Sequence, residues 1–194
     1  MTADERVVGV ILIGGASRRM GSPKHELRYA DGQRLLDRVA SMLADVCAMV
    51  VTVGHAPPVD SERVHVRDRR PDGGPLAGIE AALMDYTMGP ILVMPCDMPG
   101  VTPALLRRLL AAPPADVAVF RGADDDDVLP LPIRLAPSAL PAVRACLDND
   151  RRSLRDLLGD AATTFVPLDA SERAAMANIN TPADARAWGL ERGG

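Results

Sequence analysis

The chain has 194 residues and a formal net charge of −4 at pH 7, with one Trp, two Tyr and two Phe residues. This length fits a single domain over residues 1–194, long enough to bury most of the apolar surface of the unfolded chain. Interspersed charges leave no basic stripe for nucleic acid, and so few aromatic residues argue against a stacking platform for single strands. No stretch of the sequence predicts a membrane span.

The first residues indicate in which compartment the protein resides, and the cysteines and histidines indicate whether it contains disulfides or a metal site. Residues 1–6 are polar and do not resemble the charged and then apolar leader of a secreted protein, so we expect a cytoplasmic protein. The cysteines are widely spaced without a C-x-x-C pair, which argues against a disulfide framework and against a zinc site. The histidines are scattered as well, and we do not expect them to form a metal cluster. These residues are Cys47, Cys96 and Cys146, and His25, His55 and His65.

The first predicted element is a buried parallel strand over 7–13, which ends at the glycine pair Gly14 and Gly15. Adjacent glycines let the backbone approach a ligand closely and turn its N–H groups toward it. Three cations follow in the same segment, namely Arg18, Arg19 and Lys24. We therefore predict a phosphate-binding loop after the first strand.

The spacing within this loop narrows the choice of nucleotide-binding family. A Walker loop needs a lysine directly after its last glycine and then Ser or Thr, whereas here two residues separate Gly21 from Lys24. The glycines also do not match the Gly-x-Gly-x-x-Gly pattern of dinucleotide-binding proteins. The remaining pattern, Gly-Gly-x-Ser-x-Arg-Met-Gly-x-x-Lys, resembles the signature of nucleotidyltransferases, most closely that of the molybdenum cofactor guanylyltransferases. A glycine-rich turn with solvated cations is the alternative.

After the loop, apolar residues recur at helical spacing from Leu35 to Val46, and a second buried strand follows over 49–53. Strand, loop, helix and strand form one βαβ unit. Such units are right-handed almost without exception, and their ligands bind at the carboxyl ends of the strands. The glycine loop is expected at that edge of the sheet.

A second ligand-facing loop is predicted between a short strand around 64–66 and a helix that starts at Pro75. The helix start, Gly-Pro-Leu-Ala-Gly, resembles the second motif of the same family, and Asp68 matches the position that contacts guanine there. A carboxylate suits guanine because it can accept hydrogen bonds from both N1–H and the 2-amino group. Asp72 competes for this role, and either aspartate could instead brace a turn.

A central strand predicted over 91–94 runs into Pro-Cys-Asp-Met-Pro, which resembles the third family motif. Asp97 follows the carboxyl end of this strand, where it is well placed to hold Mg²⁺ over a triphosphate. Its alternative role is to cap the next helix, but Thr102 with the proline after it already predicts the cap of a helix over 104–110. Cys96 has no base near it in sequence, so we do not expect a nucleophile there.

The second half of the chain begins with a predicted strand over 117–120, followed by the acidic run Asp124 to Asp127. Adjacent carboxylates in a loop repel each other and rarely converge on a metal, so we interpret the run as a solvated hairpin tip. Two prolines in the next apolar stretch, 128–133, predict an edge strand.

Two helices are predicted next, one from about Pro137 and one capped by Ser153, before a strand over 163–168. Three arginines cluster around the second helix start, namely Arg151, Arg152 and Arg155. They could meet the acid groups of an acceptor, or they could form a solvated face.

The segment Asn-Ile-Asn-Thr-Pro, residues 178–182, resembles the closing motif of the family. Its Thr-Pro pair predicts the start of the last helix. Asn178 and Asn180 present paired donors and acceptors that suit a pterin edge or a phosphate. Capping of the helix by Asn180 is the alternative.

The four motifs stand in the order typical of the family and span most of the chain. The alternation of strands and helices independently predicts one α/β domain with a three-layer, doubly wound, mostly parallel sheet of Rossmann-like type. The resemblance implies transfer of GMP from GTP to the phosphate of molybdopterin or Mo-molybdopterin, with pyrophosphate as product and Mg²⁺ as cofactor. It also implies molybdenum-insertion proteins and molybdoenzyme chaperones as protein partners.

The resemblance further implies a set of site residues. Lys24 and Arg19 are expected to be catalytic, and Asp97 to hold the metal. Asn178 and Asn180 are expected to bind the acceptor. The expected nucleotide-binding residues are Leu12, Ile13, Gly14, Gly15, Lys24, Asp68 and Asp97.

Three alternatives share part of this pattern. A molybdopterin cytidylyltransferase has a first loop resembling Thr-Ala-Ala-Gly, whereas Leu-Ile-Gly-Gly at 12–15 is nearer the guanylyl form Leu-Ala-Gly-Gly. A sugar-phosphate nucleotidyltransferase is disfavoured by the closing motif. A nucleotide-binding regulatory protein without turnover is disfavoured because both Lys24 and Asp97 are present.

Overall fold

The computed structural model describes residues 4–13, 24–59 and 61–191, with the backbone alone for residues 4–6. The strands are β1 Asp4–Leu12, β2 Arg28–Tyr29, β3 Cys47–Gly54, β4 His65–Arg67, β5 Ile91–Pro95, β6 Val117–Arg121, β7 Val128–Leu135, β8 Thr163–Pro167 and β9 Leu190–Glu191. The helices are α1 Leu35–Ala44, α2 Gly74–Asp85, α3 Pro103–Leu110, α4 Leu140–Asp148, α5 Leu154–Asp160, α6 Ala170–Ala175 and α7 Pro182–Ala187. Short 3₁₀ turns cover Lys24–Glu26 and Pro137–Ala139.

The main sheet has the strand order β4-β3-β1-β5-β7-β6-β8. Strands β1, β3, β4 and β5 pair in parallel, and β6 pairs in parallel with β8. Only β7 runs against its neighbours in this sheet, since it pairs antiparallel with both β5 and β6. The predicted mostly parallel α/β sheet is therefore confirmed.

Helices cover both faces of the sheet because successive strand residues point to opposite sides. Ile11 and Met94 pack in one buried cluster with the apolar sides of α1 and α3. Their sequence neighbours Val10 and Val93 pack in a second cluster with α2, α4 and α5. This arrangement confirms the three predicted layers. None of the helices in the described part of the chain is long and apolar enough to cross a bilayer.

The prediction of an edge strand over 128–133 was wrong, because β7 lies between β5 and β6. Residues 133–135 pair with both neighbours, and residues 128–129 pair with β6 alone. Pro130 and Pro132 fall between these two paired stretches, where the register with β6 also shifts. A bulge of this kind is the other place where a sheet tolerates a residue without a backbone N–H.

Several local predictions are confirmed. Thr102 caps α3 by accepting a hydrogen bond from the backbone N–H of Leu105, and Ser153 forms a capping box at the start of α5. The acidic run lies at the β6–β7 hairpin tip, where residues 124–126 are exposed and Asp127 is held by two hydrogen bonds from Arg173. The three cysteines are buried, and none forms a disulfide with another.

Candidate active site

Four polar side chains from three distant segments meet beyond the carboxyl end of β5. The Lys24 ammonium lies 2.6 Å from Asp97 Oδ2 and also donates to Asn180 Oδ1 at 3.0 Å. The side-chain amide of Asn178 donates to the other carboxylate oxygen, Asp97 Oδ1, at 3.0 Å. All four residues were predicted from the sequence as site residues, and the structure brings them into one cluster.

Hydrophobic packing explains why the lysine segment and the asparagine segment lie together. A small buried cluster contains Leu27, Leu35, Ile179, Ala185 and Leu190. Leu27 closes the turn that begins at Lys24, since its N–H donates to the Lys24 carbonyl, and Ile179 is the residue between the two asparagines. The Ile179 N–H also donates to the backbone carbonyl of Asp97 at 2.8 Å. The packing of Leu27 and Ile179 in this cluster therefore holds the Lys24 segment next to the segment of the two asparagines.

A capping box positions the asparagines at the start of α7. The Thr181 hydroxyl accepts from the Asp184 N–H at 3.1 Å, and the Asp184 carboxylate accepts from the backbone N–H groups of Asn180 and Thr181. These bonds satisfy backbone donors that the helix cannot pair internally. Capping therefore depends on Thr181 and Asp184, and the Asn180 side chain faces Lys24 instead.

We expect Thr181→Val to lower the free energy of unfolding by about 1 kcal/mol, because valine keeps the shape of threonine but has no oxygen to cap α7. Thr181→Ser keeps the oxygen and should stay close to the native value. Urea denaturation of the three proteins measures the difference. Equal midpoints for the valine and serine variants would show that the cap contributes nothing.

A cavity of about 550 Å³ opens at the same edge of the sheet, beyond the carboxyl ends of β1, β3 and β4. Leu12 and Ile13 line it from β1, and Asp68 lines it from the loop after β4. The loop of residues 71–74 and the start of α2 form another wall. In folds with a parallel sheet, ligands usually bind at the edge formed by the carboxyl ends of the strands.

Asp68 is the distinctive polar group of this cavity. Its Oδ1 atom is buried and has no hydrogen-bond partner within the described part of the chain. Burial raises the pKa of the Asp68 carboxyl, and the nearby His65 and His55 oppose this shift only in part. An unsatisfied carboxylate oxygen in a cavity costs free energy unless a ligand donates to it.

Helix α2 approaches Asp68 closely because residue 78 is glycine. A Cβ at Gly78 would lie 2.9 Å from Val53 Cγ1 and 3.2 Å from Asp68 Oδ1. Glycine therefore permits the contact between the helix, β3 and the carboxylate.

Arginines hold the loop of residues 71–74 in place, and one of them, Arg70, also lines the cavity. Arg70 forms a bidentate ion pair with the buried Glu80 of α2, at 2.8 and 3.0 Å. Arg152 donates to the backbone carbonyl of Asp72 at 3.0 Å, and Arg151 pairs with Asp160. Arg155 donates to the backbone carbonyl of Val128 at 3.4 Å, so all three arginines of the predicted basic cluster have structural partners, which favours a bracing role over a purely solvated face.

The other predicted site residues fall in two groups. Gly14, Gly15 and Arg19 lie outside the described residues. Asp72 lines the same cavity as Asp68, so both aspartates stay candidates for a ligand contact there. His55 and Arg67 also line the cavity and were not predicted from the sequence as site residues. His55 directly follows β3, and Arg67 is the last residue of β4. This position at the carboxyl ends of parallel strands is the sequence signal that could have identified them.

Cys96 precedes Asp97 but is not suited to covalent chemistry. The thiol is buried, and burial together with the neighbouring Asp97 charge raises the pKa of Cys96 to about 12. A thiol in that state is a weak nucleophile at neutral pH. The structure therefore agrees with the expectation that Cys96 is not a nucleophile.

The donor set around Asp97 fits Mg²⁺. This ion usually binds proteins through one or two carboxylates and completes its shell with water and substrate phosphates. Asp97 supplies the carboxylate, and the neighbouring asparagines carry amide oxygens of the hard type that Mg²⁺ prefers. No group of three or more His, Cys, Asp or Glu side chains suited to a metal occurs among the described residues, so a closed all-protein cage is not found there.

Comparison with known proteins gives consistent results. A family model described as a MobA-like NTP transferase domain matches residues 9–164. The molybdenum cofactor guanylyltransferase of Xanthomonas euvesicatoria pv. vesicatoria is 35% identical over 186 residues, which cover 94% of this chain and 94% of the relative. A probable molybdenum cofactor guanylyltransferase of Pelotomaculum thermopropionicum is 32% identical, covering 92% of this chain and 90% of the relative.

Solved structures show the same fold. The crystal structure of molybdopterin-guanine dinucleotide biosynthesis protein A from Archaeoglobus fulgidus superposes with a TM-score of 0.77 and 25% identity. The match covers 93% of this chain and 95% of that protein.

Proposed function

The chain belongs to the family of MobA-like NTP transferases, and we propose that it transfers GMP from GTP to the terminal phosphate of molybdopterin or Mo-molybdopterin. The products are the guanine dinucleotide and pyrophosphate. One observation carries the guanine assignment: a buried Asp68 oxygen, which has no hydrogen-bond partner among the described residues, lines the cavity at the ligand-binding edge of the sheet. The names of the relatives support the pterin acceptor.

Recognition of the base follows from the chemistry of Asp68. An ionised carboxylate only accepts hydrogen bonds, and the guanine edge offers two adjacent donors, N1–H and the 2-amino group. Adenine has no such pair of donors. Leu12, Ile13 and the start of α2 would enclose the rest of the nucleoside.

The chemical step needs positioning and positive charge rather than a general base, because the attacking phosphate oxygen is already anionic. Lys24 donates to phosphate oxygens on which negative charge grows as the α-phosphorus is attacked in line. Arg19 shares this role by its place in the first motif. Asn178 and Asn180 orient the acceptor. Asp97 would hold Mg²⁺, which supplies further charge neutralisation to the triphosphate.

The raised pKa of Asp68 predicts the pH dependence of GTP binding. Only the ionised carboxylate can accept from both guanine donors, so GTP affinity should be highest above its pKa and fall as the carboxyl becomes protonated. Because burial raises this pKa above the ordinary value of 3.8, the fall should begin at a higher pH than for an exposed aspartate. Calorimetric titrations between about pH 8 and pH 5 measure it.

Asp68→Asn provides the control for this experiment. Asparagine does not titrate, so the variant reports the pH dependence that comes from the nucleotide phosphates and the rest of the protein. The same pH slope in both proteins would contradict the assignment of the titrating group to Asp68.

A pyrophosphate-release assay tests the proposed reaction. We expect release when GTP, Mg²⁺ and molybdopterin are all present, and little release when CTP replaces GTP or when the acceptor is omitted. A preference for CTP would identify a cytidylyltransferase. Tight GTP binding without release under any of these conditions would identify a regulatory protein.

A further inference from the structure

An ion pair in the site joins two groups to which the proposed function gives different ligands: Lys24 is assigned to phosphate and Asp97 to the metal ion. Lys24 and Asp97 are separated by 73 positions in the chain, yet their charged atoms lie 2.6 Å apart. Their side chains are only 17% and 14% exposed, respectively. A carboxylate so withdrawn from water needs a countercharge, and Lys24 is the cation that the structure places on it.

The donor set around Asp97 fits Mg²⁺, but this contact leaves little room for the ion while the Lys24 ammonium stays in place. Lys24 occupies Asp97 Oδ2, and the Asn178 amide occupies Oδ1. A divalent cation on Oδ2 would lie next to the ammonium in a partly desolvated site, where like charges repel strongly. The metal and the ammonium therefore compete for one position.

Lys24 is the only lysine in the sequence, and the remaining basic residues among the 22 counted are all arginine. Arginine holds its partners through a rigid planar fork, as in the bidentate pairs of Arg70 and Arg173 in this protein. An ammonium on a flexible four-carbon stem is a point charge that can change partners by rotating its side chain. The residue type at position 24 suits an exchange of partners.

We propose that Lys24 serves as the countercharge of Asp97 in the resting protein and leaves it only when a metal–nucleotide complex binds. The complex brings a new cation for Asp97 and a new anion, the triphosphate, for Lys24. Metal alone supplies only the first of these, so it binds weakly; metal and nucleotide bind together. This inference rests on the proposed function, since it takes Asp97 as the metal ligand and Lys24 as a phosphate donor.

Binding of Mn²⁺ without nucleotide tests the exchange, with the free ion quantified by electron paramagnetic resonance. We expect Lys24→Met to bind Mn²⁺ about tenfold or more tightly than the unchanged protein, because the competing charge is gone. Arg186→Met removes an exposed cation from α7 and should leave the affinity unchanged. The gain should disappear in the double variant Lys24→Met with Asp97→Asn. Equal or weaker Mn²⁺ binding by Lys24→Met would overturn the proposal.

A second measurement uses the unchanged protein and does not depend on the folding of a variant. Labelling with ¹⁵N-lysine gives one Nζ signal, because no other lysine exists. We expect this signal to keep its position in Mg²⁺ alone and to shift when GTP is added with Mg²⁺. A signal that stays in place while calorimetry shows bound GTP would overturn the exchange and leave the proposed function intact.

Failure of the proposed function would look different. If the unchanged protein bound no GTP in calorimetry, the proposed GMP transfer would be contradicted. The departure of Lys24 from Asp97 on nucleotide binding would be contradicted as well. The Mn²⁺ comparison would then still decide whether Lys24 shields Asp97 in the resting protein.

Discussion

Lys24→Ala is expected to lower the turnover of GMP transfer by about a hundredfold or more, as for the loss of one preorganised donor to a developing anion. Lys24 lies within hydrogen-bonding distance of both Asp97 and Asn180, so it stands where the metal and acceptor groups of the proposed site converge. Alanine removes the charge from this point without adding bulk. Steady-state release of pyrophosphate at saturating substrates measures the change.

The loss must be separated from a loss of folding. Removing Lys24 leaves the mostly buried Asp97 carboxylate with the Asn178 amide as its one side-chain partner among the described residues, which costs stability as well. Thermal unfolding of the variant shows whether it is folded at the assay temperature, and Arg186→Ala gives the effect of losing an exposed cation of α7. A folded Lys24→Ala protein with near-normal turnover would remove Lys24 from the mechanism.

Asp68→Asn is expected to change which base the protein prefers. Asparagine has one acceptor and one donor on its amide, so it can accept from guanine N1–H but presents a donor to the 2-amino group. Xanthine carries an acceptor, the 2-oxo group, at that place and matches asparagine instead. Losing a hydrogen bond to a charged group costs about 2 kcal/mol or more, which corresponds to roughly 30-fold in GTP affinity. Calorimetry with GTP and XTP should show the preference reversed.

Asp72→Asn is the matched control, because Asp72 lines the same cavity and is the competing candidate. It should keep the preference for GTP over XTP. A reversal in Asp72→Asn and none in Asp68→Asn would assign the base contact to Asp72. No reversal in either variant would mean that neither carboxylate reads the base.

Much of the fold could be predicted because its elements carry long, regular signals. The first strand, α1 and β3 were predicted from an uninterrupted apolar run, a helical repeat and a second apolar run. The strands β2 and β9 have two residues each, too few to show any alternation, and were missed. Strand β7 was misplaced because proline excludes a residue from regular pairing, and the sequence does not reveal that a bulge accommodates it inside the sheet.

Those residues of the candidate site that directly follow a predicted strand could be predicted from the sequence. Asp68 and Asp97 each follow a strand of a parallel sheet, and the structure places both at its carboxyl edge. The pairing of Lys24 with Asp97 could not be predicted, because it depends on the packing of Leu27 and Ile179 in one apolar cluster. The buried oxygen of Asp68 is likewise a property of the folded cavity, where α2 crosses at Gly78.

The most direct test of the account is a set of calorimetric titrations of the unchanged protein with GTP, CTP and ATP, each in the presence of Mg²⁺. We expect tight binding of GTP and weak binding of the other two nucleotides, because among the three bases only guanine offers two adjacent donors to the Asp68 carboxylate. Preference for CTP, or equal affinity for all three, would contradict the guanine-reading role of Asp68 and the proposed transfer of GMP.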